Sequence, residues 1–240
     1  MINISNVSKS YAKSKKAVDN LSLHVPAGTI MGFIGPNGAG KTTTLKMIAG
    51  ILKQDEGEIS LNGFDIQKDT IKAKEQFGFV FDNPDFFLQL KGIEYLKFIA
   101  DIYEVPDVTR QDTIYELAST LEMTDALNDK IQSYSHGMRQ KIMIMGVLLH
   151  NPNIWILDEP LTGLDPQSSF KLKQMMREHA DSGKTVFFST HVLEVAEKLC
   201  DKIAIINHGQ ILYVGTLVEL KEKYPDRSLE DIFLEVTLNG

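Results

Sequence analysis

Short apolar runs punctuated by glycine- and proline-bearing turns occupy both ends of the chain, and a stretch of helical period lies between them. Ile2 to Val7 and Val18 to Val25 read as strands, separated by a lysine-rich turn from Lys9 to Lys16 that contains Tyr11. Pro26-Ala27-Gly28 turns the chain into Ile30-Met31-Gly32-Phe33-Ile34, a short apolar run of the kind that makes a buried strand. Lys41 to Ala49 reads as a helix closed by Gly50. Glu58 to Leu61 is a strand that meets the Asn62-Gly63 turn signal, and Phe77 to Phe81 is another, ending at Asp82-Asn83-Pro84. From Asp85 to about His150 the apolar positions fall at helical spacing, as in Ile93, Leu96, Phe98-Ile99 and Ile102, and again in Ile114, Leu117 and Leu121.

Strand and helix then alternate. Asn153 to Leu157 is a β-rich apolar run ending in Asp158-Glu159-Pro160. Asp165-Pro166 reads as an N-cap followed by proline at the first helical position, with the helix running to Ser182-Gly183. Thr185 to Ser189 is a buried strand, Thr190-His191 its end, and Val192 to Leu199 a helix. Ile203 to Asn207 and Gln210 to Val214 form a hairpin around His208-Gly209. Ser228 to Asp231 is a capping-box signal before Ile232-Phe233-Leu234. The order predicts an α/β core with a helix-rich insert between its strands.

Composition narrows this picture. The 240 residues suffice for one large domain or one with an inserted subdomain. A net charge of −7 argues against a nucleic-acid surface. Cys200 is the only cysteine, which excludes an intrachain disulfide, suits a reducing compartment, and reads as a small buried hydrophobe. Met1 to Lys16 has no apolar signal region, and the apolar stretch Ile142 to Leu149 is far short of the ~20 residues a membrane helix needs. A cytoplasmic protein is expected, with any membrane span supplied by another chain.

The chemistry starts at Gly35-Pro36-Asn37-Gly38-Ala39-Gly40-Lys41-Thr42, between the Ile30 strand and the Lys41 helix. Strand, glycine loop and helix in that order match the G-x-x-x-x-G-K-[ST] phosphate cradle. Glycines let backbone N–H groups converge on phosphate oxygens, and the helix N-terminus adds its positive dipole end. Lys41 is placed for the β- and γ-phosphates, the Thr42 hydroxyl for Mg²⁺, and Thr43 follows in the same turn. Asp158 closes an apolar strand, where such folds hold a further Mg²⁺ contact, and Glu159 is the natural base for an attacking water. His191, at the end of the next strand, is placed to reach the γ-phosphate. Tyr11 either stacks on a nucleotide base or is a surface aromatic.

This set resembles the ATP-binding cassette (ABC) ATPases from about Ile2 to Thr216. The most discriminating element is Tyr134-Ser135-His136-Gly137-Met138-Arg139-Gln140, which is similar to the family's signature loop. The order also agrees: phosphate loop, signature, Asp-Glu strand, the Leu164-Asp165 loop, and the histidine. The resemblance implies an α/β P-loop NTPase (RecA-like) core with an antiparallel β subdomain and an inserted α-helical subdomain. It divides the chain into an ATPase domain over 1–220 and a tail over 221–240. Within the former, 1–84 and 151–220 form the catalytic core and 85–150 the helical subdomain. It further implies ATP and Mg²⁺ as cofactors and a head-to-tail pair of cassettes. Ser135, Gly137 and Met138 of one copy would then cover ATP held by the Lys41 loop of the other, with Asp165 at the junction. The partners expected are an integral membrane subunit and a second ABC ATPase subunit, related or identical, with no nucleic acid. The protein would sit on the inner face of the cell membrane.

Two positions depart from the family pattern: Asp82 stands where glutamine is usual, and His136 where glycine is commoner. An acid at position 82 is expected to keep the metal-sensing role by direct contact. Ser-x-Gly-Met-Arg-Gln and the tail Ser228-Leu229-Glu230-Asp231-Ile232-Phe233 are similar to subunits of multidrug, peptide or antibiotic exporters. Phe86, Phe87, Leu88 and Leu90 read either as core of the insert or as the face that meets the membrane subunit. A second reading is an ABC-type ATPase with a regulatory or assembly role and no transport. A GTPase is excluded by the lack of D-x-x-G and N-K-x-D.

Overall fold

The computed structural model describes residues 1–12, 15–225 and 227–238. In chain order the elements begin with strands β1 (Ile2–Ala12), β2 (Lys15–Val25) and β3 (Ile30–Ile34), then α1 (Lys41–Ile48). β4 (Glu56–Leu61), β5 (Phe64–Asp65), α2 (Thr70–Lys74) and β6 (Phe77–Val80) follow. The insert holds α3 (Gly92–Ile102), α4 (Asp107–Thr120) and α5 (His136–Leu148). The chain then runs through β7 (Ile154–Asp158), α6 (Pro166–Asp181), β8 (Thr185–Thr190) and α7 (Leu193–Leu199). It finishes with β9 (Lys202–Asn207), β10 (Gln210–Gly215), α8 (Leu217–Lys223) and α9 (Leu229–Leu238).

Two sheets form. One is antiparallel, in the order β2-β1-β4-β5; the other runs β10-β9-β3-β8-β7-β6, parallel except for its β10 edge. Every residue of β3, β7 and β8 is buried, which is why consecutive apolar residues fill β3, Ile154 to Leu157 of β7 and Val186 to Phe188 of β8, with polar residues only towards the ends. The period of two then assigns each side chain to a face. Met31, Phe33, Ile154, Ile156, Phe187, Ala204 and Ile206 join α1 and the antiparallel sheet in one core. Ile30, Trp155, Leu157, Val186 and Phe188 pack on the other face, under α6 and the helices of the insert. Ile34, Ile203 and Ile205 meet α7, α8 and α9 in a third cluster. Each fully buried aromatic or aliphatic side chain contributes ~1.5–3 kcal/mol, so burial on both faces holds the parallel sheet rigid.

The carboxyl ends of β3, β8, β7 and β6 therefore open on one edge of the parallel sheet, the place where open α/β sheets bind ligands. Residues 35–42 follow β3, Glu159 follows β7, His191 follows β8 and Asp82 lies just past β6.

Several sequence expectations need correction. The lysine-rich segment is not a turn throughout: β1 and β2 stay paired out to Ala12 and Lys15, while residues 13 and 14 lie outside the described set. Asp55 accepts hydrogen bonds from Lys9 Nζ (2.6 Å) and the Ser10 N–H (2.8 Å), so polar residues are held within a strand by backbone pairing and a carboxylate. Residues 85–91 are not helical; Phe87 has φ of 55° and α3 starts only at Gly92. Tyr134, Ser135 and the short 3₁₀ turns at Thr124–Ala126 and Ile131–Ser133 also interrupt the insert's helices. β5, α2 and α8 were too short to leave a periodic pattern, although α8 has a Thr216/Glu219 capping box.

Candidate functional site

Residues 35–40 curl over the start of α1. Gly40 takes φ of 109°, and a Cβ there would lie 2.5 Å from the Ala17 carbonyl oxygen. A Cβ on Gly35 would lie 2.4 Å from the Ile206 carbonyl oxygen. Only glycine lets the loop sit this close to β2 and β9. The result is a cavity of about 220 Å³ beside the N-terminus of α1, lined by the loop residues Pro36, Asn37, Gly38, Gly40, Lys41, Thr42 and Thr43 with Ala17, Asp82 and Glu159. Ala39 is buried behind the loop, and its carbonyl accepts the Gly209 N–H at 2.9 Å. Backbone N–H groups, a helix N-terminus and a buried lysine in one concavity are the groups that suit a polyphosphate.

The Lys41 side chain is buried, and its Nζ donates to the carbonyl of Gly35 (2.7 Å). It also lies 3.6 Å from Glu159 Oε1. That same carboxylate oxygen is 3.0 Å from His191 Nδ1, on a half-exposed ring. Glu159 adopts φ of 48°, a left-handed conformation that costs a non-glycine residue about 1–3 kcal/mol and aims its side chain off the strand end. Asp158 is buried, and its Oδ1 accepts the Ser189 hydroxyl at 2.6 Å; Ser189 Oγ in turn accepts the Glu159 N–H at 3.0 Å. Asp82 stands at the cavity rim, where partial burial and the charges of Asp158 and Glu159 raise its carboxyl above the ordinary carboxylate range.

The Thr42 hydroxyl and the carboxylates of Asp158 and Asp82 are hard oxygen donors of the type Mg²⁺ takes. Among the described residues no three acids, histidines or cysteines form a metal cage by themselves. That donor set fits Mg²⁺ bound largely through nucleotide phosphates and water.

Tyr11 does not sit in a turn. It lies on β1 with its ring exposed and its hydroxyl 3.3 Å from Thr43 Oγ1, beside the phosphate loop. Ser135, Gly137 and Met138 line no part of the cavity. Ser135 caps α5, with Oγ accepting the Met138 N–H at 3.3 Å, while the Met138 side chain packs into the insert's core. A Cβ on Gly163 would lie 2.4 Å from His136 Cδ2, so the His136 ring lies against the loop ahead of Asp165. Asp165 caps α6, accepting the Ser168 hydroxyl at 2.5 Å and N–H at 2.9 Å, which hold its carboxyl down at about 2. Lys141 Nζ is 3.9 Å from Asp165 Oδ2. The structure thus gathers the phosphate loop, Tyr11, Asp82, Asp158, Glu159 and His191 at one place, and the signature residues with Asp165 at another. Sequence reasoning missed Ser189 and Ala17; a hydroxyl near the end of an apolar strand was the only hint of the former.

Comparison with known proteins agrees with this geometry. Residues 18–162 match the ABC transporter family. The linearmycin resistance ATP-binding protein LnrL of Bacillus subtilis (strain 168) is 33% identical over 240 residues, covering 100% of this chain and 76% of LnrL. A solved ATP-binding subunit of an ABC transporter superposes with a TM-score of 0.93 at 28% identity, covering 98% of this chain and 99% of the other. A dimeric ATP-binding cassette in a post-hydrolysis state, bound to ADP and Pi, gives a TM-score of 0.82 at 26% identity over 90% of this chain and 99% of its own. The chain belongs to the ABC transporter family, as an ATP-binding and ATP-hydrolysing subunit.

Proposed function

We propose that the chain drives an exporter: two cassettes close head to tail on ATP, the closure moves a separate membrane subunit, and hydrolysis reopens the pair. The observation that carries this reading is the separation of the two half-sites. The phosphate loop and Glu159 share a cavity, with His191 against Glu159 at 3.0 Å, whereas Ser135 and Gly137 begin α5 outside it, with Ser135 exposed. A helix N-terminus with an exposed hydroxyl suits the γ-phosphate of ATP held by a second copy. Charge-assisted hydrogen bonds contribute roughly 1.5–3 kcal/mol each, so several of them favour closure only while the γ-phosphate is present.

In the closed pair, Lys41 holds the β- and γ-phosphates and Tyr11 lies along the base. Thr42, Asp158 and Asp82 would hold Mg²⁺, which would supply positive charge against the phosphates. Glu159 accepts a proton from water as its oxygen attacks the γ-phosphorus, and the bond to the ADP oxygen breaks to leave ADP and phosphate. His191, 3.0 Å from Glu159, keeps that carboxylate turned toward the water. Met138 sets the cap of α5 and Asp165 the start of α6 at the junction between copies.

The surface for the membrane subunit is an apolar groove of about 410 Å³ between the parallel sheet and the insert, walled by Phe79, Phe81, Phe86, Phe87, Ile99 and Val147. No helix among the described residues is long and apolar enough to cross a membrane. Attachment to the inner face of the cell membrane would then run through that groove. Resistance to linearmycin, in the name of LnrL, supports export as the direction. The test is Glu159→Gln on a sizing column. We expect an ATP-dependent dimer with hydrolysis abolished; a variant that stays monomeric at saturating ATP would refute the shared site.

A further inference from the structure

Ser189 is fully buried and directly across the β7–β8 ladder from Asp158. Its hydroxyl proton goes to Asp158 Oδ1 (2.6 Å), and its lone pair takes the N–H of Glu159 (3.0 Å). A serine oxygen carries one proton and two lone pairs, so both bonds form at once without conflict. Glu159 lies one residue past the end of β7, beyond the sheet's own hydrogen bonds, and turns into the left-handed region at φ of 48°. Among the described residues, no other hydrogen bond reaches the Asp158 carboxylate or the Glu159 N–H.

We infer that Ser189 is a positioning residue, which locks the metal-facing carboxylate of Asp158 and the backbone of the base Glu159 into one rigid unit. Two residues further on, His191 holds the other end of Glu159 at 3.0 Å, so the β8 terminus grips this acid by backbone and by side chain. Removing the hydroxyl frees Asp158 to rotate and leaves a buried N–H unpaired at a strained residue. The phosphate loop and Lys41 make no hydrogen bond with Ser189 and keep their geometry. The inference rests on the metal role of Asp158 and the base role of Glu159 proposed above.

The experiment compares Ser189→Ala, Ser189→Cys and Ser189→Thr in the full chain. It reads AMP-PNP affinity with and without Mg²⁺, kcat and KM for ATP, and thermal stability. Groups that hydrogen-bond to a metal-ligating carboxylate are worth about 10–100-fold, so S189A and S189C should lose about tenfold of the Mg²⁺-dependent tightening and at least about tenfold in kcat. Metal-free AMP-PNP affinity should stay within about twofold, and S189T, which keeps the hydroxyl, should restore both losses. Cysteine is close to serine in size and a weak hydrogen-bonding group, so S189C isolates the hydrogen bonds from packing even if S189T fails to fold. Unchanged Mg²⁺-dependent tightening and kcat in S189A would overturn the inference. So would a parallel fall in metal-free affinity, which marks a purely structural hydroxyl; a loss of thermal stability alone is expected from the unpaired N–H and leaves the Mg²⁺ comparison as the deciding readout. Asp158→Asn separates the two levels: if it loses the Mg²⁺ effect and S189A does not, only Ser189 is misassigned, whereas if D158N keeps it, the metal role of Asp158 itself falls.

Discussion

Lys41 and Glu159 meet as an ion pair, Nζ to Oε1 at 3.6 Å, with both side chains largely shielded from water. One residue opens α1 and the other follows β7, so the pair bridges the two strand ends that border the phosphate cavity. On the proposed mechanism, a γ-phosphate entering this cavity would compete with Glu159 for the lysine and leave the carboxylate free to accept a proton. Lys41→Ala should therefore weaken ATP binding by about 1.5–3 kcal/mol, the worth of a hydrogen bond to a charged group. Titration with a fluorescent ATP analogue checks this, and an unchanged affinity would remove Lys41 from the phosphate site.

Asp82 offers a carboxylate where glutamine is the commoner choice, and the negative charges of Asp158 and Glu159 act on it. Asp82→Gln should lower the Mg²⁺ affinity of the nucleotide-bound protein, and Asp82→Ala should lower it further, on the order of tenfold. Competition by Mn²⁺, followed by paramagnetic resonance, reads the metal directly. Equal metal affinity in all three proteins would show that Asp82 makes no contact.

Phe87 is 45% exposed, with its ring 5.3 Å from Tyr95 and 5.7 Å from Phe98. Phe86 is similarly open and meets Phe81 at a tilt of 46° with centroids 5.0 Å apart, whereas Leu88 and Leu90 pack against the insert's core. Phe87→Asp should cost the isolated chain only about 1 kcal/mol, because nearly half the ring is already in water. We expect it to abolish co-purification with the membrane subunit while ATP binding persists. Loss of folded protein instead would assign Phe87 to the core.

His150 lies face to face with Tyr103, centroids 3.7 Å apart, and burial holds its imidazole down at about 4. His179, against Trp155 at 5.6 Å, is held at about 4 by the same cause. Both folded-state values lie below the ordinary 6.5, so as pH falls the unfolded chain takes up protons first. The stability they contribute is complete above about pH 6.5 and disappears as pH falls to about 4, on the order of 1–2 kcal/mol for each after allowing for partial solvent contact. Thermal melts across that window should show the decline, and His179→Phe should flatten part of it. A melting temperature insensitive to pH there would contradict the assignment.

The primary sequence specified on its own whatever depends on local order. The apolar runs of β3, β7 and β8 were legible because burial on both faces replaces the alternation of a half-exposed strand with consecutive apolar residues, and the buried polar positions of β7 and β8 fall only at strand ends. Residues 35–42 were legible because glycine spacing, lysine and threonine act within one turn, and Asp165-Pro166 because a helix start is a local event. Tertiary structure alone decided that β8 lies between β3 and β7, which places Ser189 beside Asp158 and His191 beside Glu159. It also decided that the polar segment around Lys9 is strand, since Asp55 reaches it across the sheet. Phe87 was undecidable from pattern, because its exposure depends on how the turn within residues 85–91 sets its ring against Tyr95 and Phe98 of α3. Hydrogen-bond reach and burial are set by which strands become neighbours, and long-range pairing leaves no mark on the local spacing of residues.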